Sequence, residues 1–276
     1  MSQLKFALRV GVSALSIGGA LLAVLGVVLG VARPIQAAVV ETGKGPQLLI
    51  GLDDDHQGNL SIQGGAQADQ SLSRTDVLDG GPGNDVMFGL NGSDVMDGGP
   101  GDDIILGGPD AGPAPGGRPN SDVMFGGPDN DVNLWAPGDG SEAFLGGPGI
   151  DALIFGATDR DAVADPATGV RLPTLRFGAP AFPQGIPTAN VSGLANFCSL
   201  EPSPSPGYQF LVRFRSAATG NIAATVRVTD VEQVFCTSQP GGSIAFADLT
   251  DPVPAFRVVT QQEVEALNPI VAAMVR

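Results

Sequence analysis

Gly80-Gly81-Pro82-Gly83-Asn84-Asp85-Val86-Met87-Phe88 is followed at once by Gly89-Leu90-Asn91-Gly92-Ser93-Asp94-Val95-Met96-Asp97 and by Gly98-Gly99-Pro100-Gly101-Asp102-Asp103-Ile104-Ile105-Leu106. Glycine falls on glycine, aspartate on aspartate and apolar residue on apolar residue, so the period is nine. The pattern starts one unit earlier, at Thr75-Asp76-Val77-Leu78-Asp79, and resumes as Asn120-Ser121-Asp122-Val123-Met124-Phe125. Two more copies run from Gly126 to Leu134 and from Gly146 to Ile154, separated by a longer, degraded copy with Glu142 at the acidic position. Successive sixth-position acids are 9, 9, 9, 19, 9, 11 and 9 residues apart. The interval of 19 is one unit plus ten Pro/Gly-rich residues, Asp110 to Pro119, which read as a loop excursion.

Composition agrees that the order here is unusual. The 276 residues are 43% hydrophobic but only 5% aromatic, with 40 Gly, 23 Pro, and a net charge of -15. A conventional core of large side chains is scarce, yet the chain is too apolar for simple disorder. The acidic balance argues against nucleic acid as a partner, since a binder needs a basic patch, and makes cations the natural counter-partner. From Thr75 to Gly156 there are fourteen acids and a single base, Arg118, so local salt bridges cannot neutralise them. A mere run of solvated Gly/Asp turns would show irregular spacing and no fixed acid position.

The units resemble the glycine-rich nonapeptide G-G-x-G-x-D-x-U-x of RTX, or haemolysin-type, calcium-binding proteins, over about 80 residues. The resemblance implies a parallel β-roll folded around calcium ions, with carbonyls of the glycine-rich turns completing the coordination. The residues give a physical reason. Gly-Gly supplies a tight turn, and three residues such as Val86-Met87-Phe88 supply a short strand, so eighteen residues close a coil with two parallel strands on opposite sides. The eighth-position residues Leu78, Met87, Met96, Ile105, Met124, Phe144 and Leu153 then point inward as a thin core, with Asn133 at a coil edge or as a polar core position. Turns on one side stack about 4.8 Å apart, which brings carboxylates of alternate units together. A hard cation accepting six or more oxygens relieves their repulsion, and calcium fits.

The expected metal ligands are Asp76, Asp85, Asp94, Asp103, Asp122, Asp131, Glu142 and Asp151, with the turn glycines Gly80, Gly81, Gly83, Gly89, Gly98, Gly99 and Gly101. One side pairs Asp76 with Asp94, Asp94 with Asp122, and Asp122 with Glu142. The other pairs Asp85 with Asp103, Asp103 with Asp131, and Asp131 with Asp151, for up to six sites. Upstream, Asp53, Asp55 and Gly58 imitate the start of an EF-hand loop, but Gly64 stands where that loop needs Glu, so the EF-hand is rejected in favour of an acidic turn or coil cap. His56 reads as a surface histidine.

Residues 1–38 contain Lys5, Arg9, Arg33 and no acid, and 23 uncharged residues separate Arg9 from Arg33. A basic start, an apolar run and the small residues Ala37 and Ala38 describe a secretory signal; the competing reading is an uncleaved membrane anchor. Either places the rest outside the cytoplasm, although RTX proteins commonly leave through a C-terminal uncleaved signal. Residues 39–74 are expected to be a lead-in or cap, 75–156 the roll, and 157–276 a small β-rich domain with a terminal helix. In that last part Tyr208–Arg215, Ile222–Val228 and Ser243–Ala247 read as strands. Thr260-Gln261-Gln262-Glu263 is a capping box opening a helix that breaks or kinks near Pro269. Cys198 and Cys236, in an exported chain, favour a disulfide.

The fold class is therefore all-β. One histidine in the chain leaves little for hydrolytic catalysis, and no nucleophile-elbow or phosphate-loop motif is present. Two functional readings follow. The favoured one is a secreted calcium-binding structural or interaction protein, not an enzyme, with calcium ions and an unknown extracellular partner. The alternative is an exported hydrolase whose active site lies in residues 157–276 and whose roll is a calcium-dependent folding module.

Overall fold

Three apolar-rich residues between glycine turns can form only a short strand, and the chain makes one in every described nonapeptide. The computed structural model describes residues 39–41, 48–50, 77–89, 94–108, 122–160, 172–239 and 242–275. The expectations for residues 1–38, for the acidic turn at 53–58 and for Asp76 lie outside them. The strands are β1 (Val39–Glu41), β2 (Leu48–Ile50), β3 (Val77–Asp79), β4 (Val86–Phe88), β5 (Val95–Asp97), β6 (Ile104–Leu106), β7 (Val123–Phe125), β8 (Val132–Trp135), β9 (Ala143–Leu145) and β10 (Ala152–Phe155). Odd strands stack on odd and even on even, all parallel, with Val77, Val95, Val123 and Ala143 in one register and Val86, Ile104, Val132 and Ala152 in the other. β1 and β2 extend the two stacks by one coil, beside β3 and β4. This is a parallel β-roll.

The eighth-position side chains meet between the sheets: Leu78, Met87, Met96, Ile105, Met124, Phe144 and Leu153 are fully buried in one apolar cluster. Asn133 joins them as a polar core residue, its Nδ2 donating to Met124 Sδ at 2.8 Å. The expectation of a single thin core needs correction. In the odd sheet only the middle residue of β3 and of β5 is buried, whereas β4, β6, β8 and β10 are buried at every position. Their outward residues Val86, Phe88, Ile104, Leu106, Leu134 and Ile154 form a second core with residues from 182–191 and the C-terminal helices. Burying these faces is what lets short strands hold, since each large apolar side chain removed from water contributes roughly 1.5–3 kcal/mol.

The remaining chain adds to the same two sheets. After the small hairpin of β11 (Leu175–Arg176) and β12 (Ile186–Pro187) come β13 (Asn196–Pro202), β14 (Phe210–Ser216), β15 (Ile222–Thr229), β16 (Gln233–Thr237), β17 (Ile244–Asp248) and β18 (Arg257–Val259). β15 pairs in parallel with β9 and is followed outward by antiparallel β14 and β13; β16 pairs in parallel with β10 and is followed by β17 and β18. The expected strands are present with ends shifted by one or two residues. β13 and β16 were not expected, and each carries a cysteine. Cys198 and Cys236 form a disulfide with Cα atoms 6.1 Å apart, linking an odd-sheet strand to an even-sheet strand.

The chain ends in α1 (Gln261–Leu267) and α2 (Pro269–Met274). The capping box forms, with the Thr260 hydroxyl accepting from Glu263 N at 3.2 Å and Glu263 Oε2 accepting from Thr260 N at 2.8 Å. Asn268 ends the first helix and caps the second by accepting from the N–H groups of Ile270 and Val271, and Pro269 sits where its missing N–H costs nothing. Val264, Val271 and Met274 close the second core. Among the described residues no helix is long and apolar enough to cross a membrane.

Candidate metal centre

The sixth residue of each nonapeptide ends a turn and enters a strand, so parallel stacking sets these carboxylates in two rows. Asp85, Asp103, Asp131 and Asp151 line the side entering the even sheet; Asp94, Asp122 and Glu142 line the side entering the odd sheet. All seven are essentially inaccessible to solvent. Each rung is tied to the next by one carboxylate oxygen. Oδ1 of Asp103 accepts from Asp85 N at 2.7 Å, Asp131 Oδ1 from Asp103 N at 2.8 Å, and Asp151 Oδ1 from Asp131 N at 2.8 Å. On the opposite side Asp122 Oδ1 accepts from Asp94 N at 2.8 Å.

The other oxygen turns toward the first glycine of its own unit. The point a Cβ would occupy on Gly126 lies 2.6 Å from the carbonyl oxygen of Gly146 and still closer to Asp131 Oδ2; Gly98 has the same relation to Gly126 O and Asp103 Oδ2. Gly80 and Gly89 repeat it with Asp85 and Asp94. Glycine is required there because carboxylate and carbonyl oxygens converge on the space a side chain would fill. At Gly107 the same point is 3.0 Å from Glu142 Oε1 and closer to Asp122 Oδ2, so the degraded copy still delivers its acid to the row. Gly99 and Gly101 need glycine for a second reason, with φ of +91° and +140°.

A second ladder, which the period did not reveal, runs beside the first at the fifth position. Asn84 Oδ1 accepts from Asp102 N at 3.2 Å, Asp102 Oδ1 from Asn130 N at 3.0 Å, and Asn130 Oδ1 from Ile150 N at 3.1 Å. Its polarity is opposite to that of the sixth-position row, so the two ladders brace each turn from both neighbours. The two-residue excess of the degraded copy is folded back locally, with Trp135 Nε1 donating to Gly140 O at 2.9 Å and Ala136 N to Asp139 Oδ2 at 2.7 Å.

The donor set fits a hard cation. Asp103 Oδ2, Asp131 Oδ2 and Asp151 Oδ2 are buried without a hydrogen-bond partner. Burial pushes the Asp103 carboxyl up to about 9, against the pull of the Asp85 N–H and with a further push from Asp131. Burial likewise raises Asp131 to about 8 and Asp151 to about 7. A cation sharing the space favours the ionised form, most of all for Asp103 and Asp131, whose carboxyl groups are raised above neutrality. Among the described residues no three His, Cys, Asp or Glu side chains converge on one point; backbone carbonyl oxygens stand beside the carboxylates instead, and such mixed oxygen ligands suit calcium rather than zinc. Asp103 and Asp131, beside the carbonyls of Gly126 and Gly146, and Asp151 are residues that could hold such an ion.

Residues 72–111 match the family model of the RTX calcium-binding nonapeptide repeat, in four copies. Over those residues the repeats are similar to RTX calcium-binding nonapeptides. Calcium is thus the ion of the RTX roll and its partner. The described repeat geometry extends the RTX pattern beyond the matched residues to Phe155, because Asp122, Asp131 and Asp151 take the same position in register. No curated protein and no solved structure matches the chain. One acid of the row escaped the nonapeptide pattern: Glu232 Oε2 accepts from Asp151 N at 2.8 Å and so continues the RTX ladder past its last repeat. No motif surrounds Glu232, and only the strand pairing of β10 with β16 brings it there.

Proposed function

We propose that this is an extracellular calcium-binding protein with a structural or interaction role, in which ions bound between stacked turns hold the RTX roll and, through it, the strands β13 to β18. Up to six ions follow from the pairs Asp76/Asp94, Asp94/Asp122, Asp122/Glu142, Asp85/Asp103, Asp103/Asp131 and Asp131/Asp151. The carrying observation is the row of buried Oδ2 atoms on Asp103, Asp131 and Asp151, each aimed with a neighbouring carbonyl into one glycine-lined space. Arg118 is the only base between Thr75 and Gly156, against fourteen acids, so the repeats themselves bring little counter-charge to this row.

Where calcium is scarce the fold must hold buried carboxyl groups in their protonated form, at a cost in stability, and the short strands lack support; where it is plentiful, binding energy becomes folding energy. An N-terminal signal-like segment and a disulfide joining two sheet strands both suit an oxidising, calcium-rich exterior. A non-catalytic role suits a chain whose single histidine is His56 and whose two cysteines are bonded to each other. Mass and calcium stoichiometry of the natively exported protein test the proposal together. A mature chain lacking the first 37 or 38 residues and binding several calcium ions supports it; a cytoplasmic chain binding none overturns it.

A further inference from the structure

The crossover from β15 to β16 copies the repeat turn with half the residues. Three residues, Asp230, Val231 and Glu232, separate Thr229 at the end of β15 from Gln233 at the start of β16, where a repeat uses six. Yet three of the repeat's hydrogen bonds have direct counterparts. Gly126 N donates to Leu145 O at 2.8 Å and Gly127 N to Gly146 O at 2.9 Å; one coil later Gly146 N donates to Thr229 O at 3.0 Å and Gly147 N to Asp230 O at 3.2 Å. Asp131 N donates to Asp151 Oδ1, and Asp151 N donates to Glu232 Oε2, both at 2.8 Å. By its carbonyl's hydrogen bond Asp230 stands in the place of the first glycine, and Glu232, one methylene longer, stands in the place of the sixth-position acid.

The oxygens correspond as well. The point a Cβ would occupy on Gly146 lies 2.6 Å from Asp151 Oδ2 and closer still to the carbonyl oxygen of Asp230, the same cradle that Gly98 and Gly126 show. Asp151 Oδ2 is buried and has no hydrogen-bond partner. The Asp230 side chain is engaged elsewhere, its Oδ1 accepting from Gln209 Nε2 at 3.4 Å, so its contribution here is the carbonyl.

We propose that Asp151, the Asp230 carbonyl and Glu232 form a terminal calcium site outside the nonapeptide array, made by the C-terminal segment. The inference rests on the calcium reading of the roll and adds to it a site with a distinct task. An ion there bridges the last repeat turn to the β15–β16 crossover, where the chain passes from the odd sheet to the even sheet. Calcium then organises the disulfide-bearing strands directly as well as the repeats.

The test uses the full chain with calcium alone, counting bound ions by native mass spectrometry and following amide hydrogen exchange. Glu232→Gln keeps an acceptor for Asp151 N–H and removes the charge. The expected result is one calcium ion fewer per chain than wild type and loss of the calcium-dependent slowing of exchange at residues 229–233, with the calcium-induced strand signal of the roll retained. An unchanged ion count overturns the terminal site while leaving the repeat sites standing, whereas a wild-type chain that binds no calcium overturns the calcium reading itself. Should the variant fail to fold, the wild-type exchange decides: residues 229–233 protected equally in calcium and in chelator overturn the proposal, and protection only in calcium supports it.

Discussion

Replacing Asp103 by Asn is expected to stabilise the calcium-free protein and to weaken its response to calcium. The metal-free fold holds the Asp103 carboxyl at about 9, against 3.8 for the unperturbed group, chiefly because it is buried. At pH 7 the folded chain therefore keeps this group protonated while the unfolded chain has it ionised. Each pH unit between 3.8 and 7 costs the fold about 1.36 kcal/mol, which comes to about 4 kcal/mol. Asn carries no such cost and still offers Oδ1 to the Asp85 N–H, which Asp103 accepts at 2.7 Å. It offers calcium a neutral oxygen in place of a charged one. Urea titrations followed by far-UV circular dichroism, in chelator and in excess calcium at pH 7, read both effects. The chelator midpoint should rise by an amount equivalent to as much as about 4 kcal/mol, and the further rise on adding calcium should be smaller than in wild type. A variant less stable than wild type in chelator would refute the reasoning, because the charged carboxylate would then be satisfied by the protein itself.

The same linkage fixes the pH dependence. The folded-state values of Asp103, Asp131 and Asp151 are raised to about 9, 8 and 7, so the metal-free fold gains stability as pH falls from about 9 toward 4 and loses it as pH rises through that window. Calcium must displace those protons, so calorimetry over that window should show affinity increasing with pH; constant affinity would contradict the assignment. Gly126→Ala places a methyl against Asp131 Oδ2 and Gly146 O, an overpacking expected to cost roughly 1–3 kcal/mol and to displace the carboxylate, which weaker calcium binding by calorimetry would reveal. Replacing Cys198 and Cys236 together by Ala opens a loop closed over 38 residues and should cost about 4 kcal/mol in thermal or urea unfolding, while the calcium-induced change in the roll persists.

The fold of the repeats was legible because a nine-residue period fixes both the turn and the acid that follows it. Spacing alone puts Asp85, Asp103, Asp131 and Asp151 on one side, and Asp94, Asp122 and Glu142 on the other. The asymmetry between the two sheets was present but subtler, carried by the ninth position: Phe88, Leu106, Leu134 and Ile154 on the covered even sheet, Asp79 and Asp97 on the first coils of the odd sheet, where Phe125 and Leu145 later break the pattern. Reading it requires a period of eighteen. Strands β13 and β16 and the acid Glu232 were not legible, because a strand added to a sheet edge is specified by its partner β10 or β14 and by burial rather than by a repeat. The fifth-position ladder of Asn84, Asp102 and Asn130 escaped for a similar reason, since Asn and Asp in turns satisfy many local roles and only the stacking shows which one they take.

The central claim is that calcium, held by buried carboxylates and turn carbonyls, orders this roll. Far-UV circular dichroism of the chain in chelator, titrated with calcium to millimolar excess, tests it most directly. A saturable gain of strand signal that chelator reverses is expected; a spectrum unchanged at millimolar calcium would rule out calcium-dependent ordering of the roll.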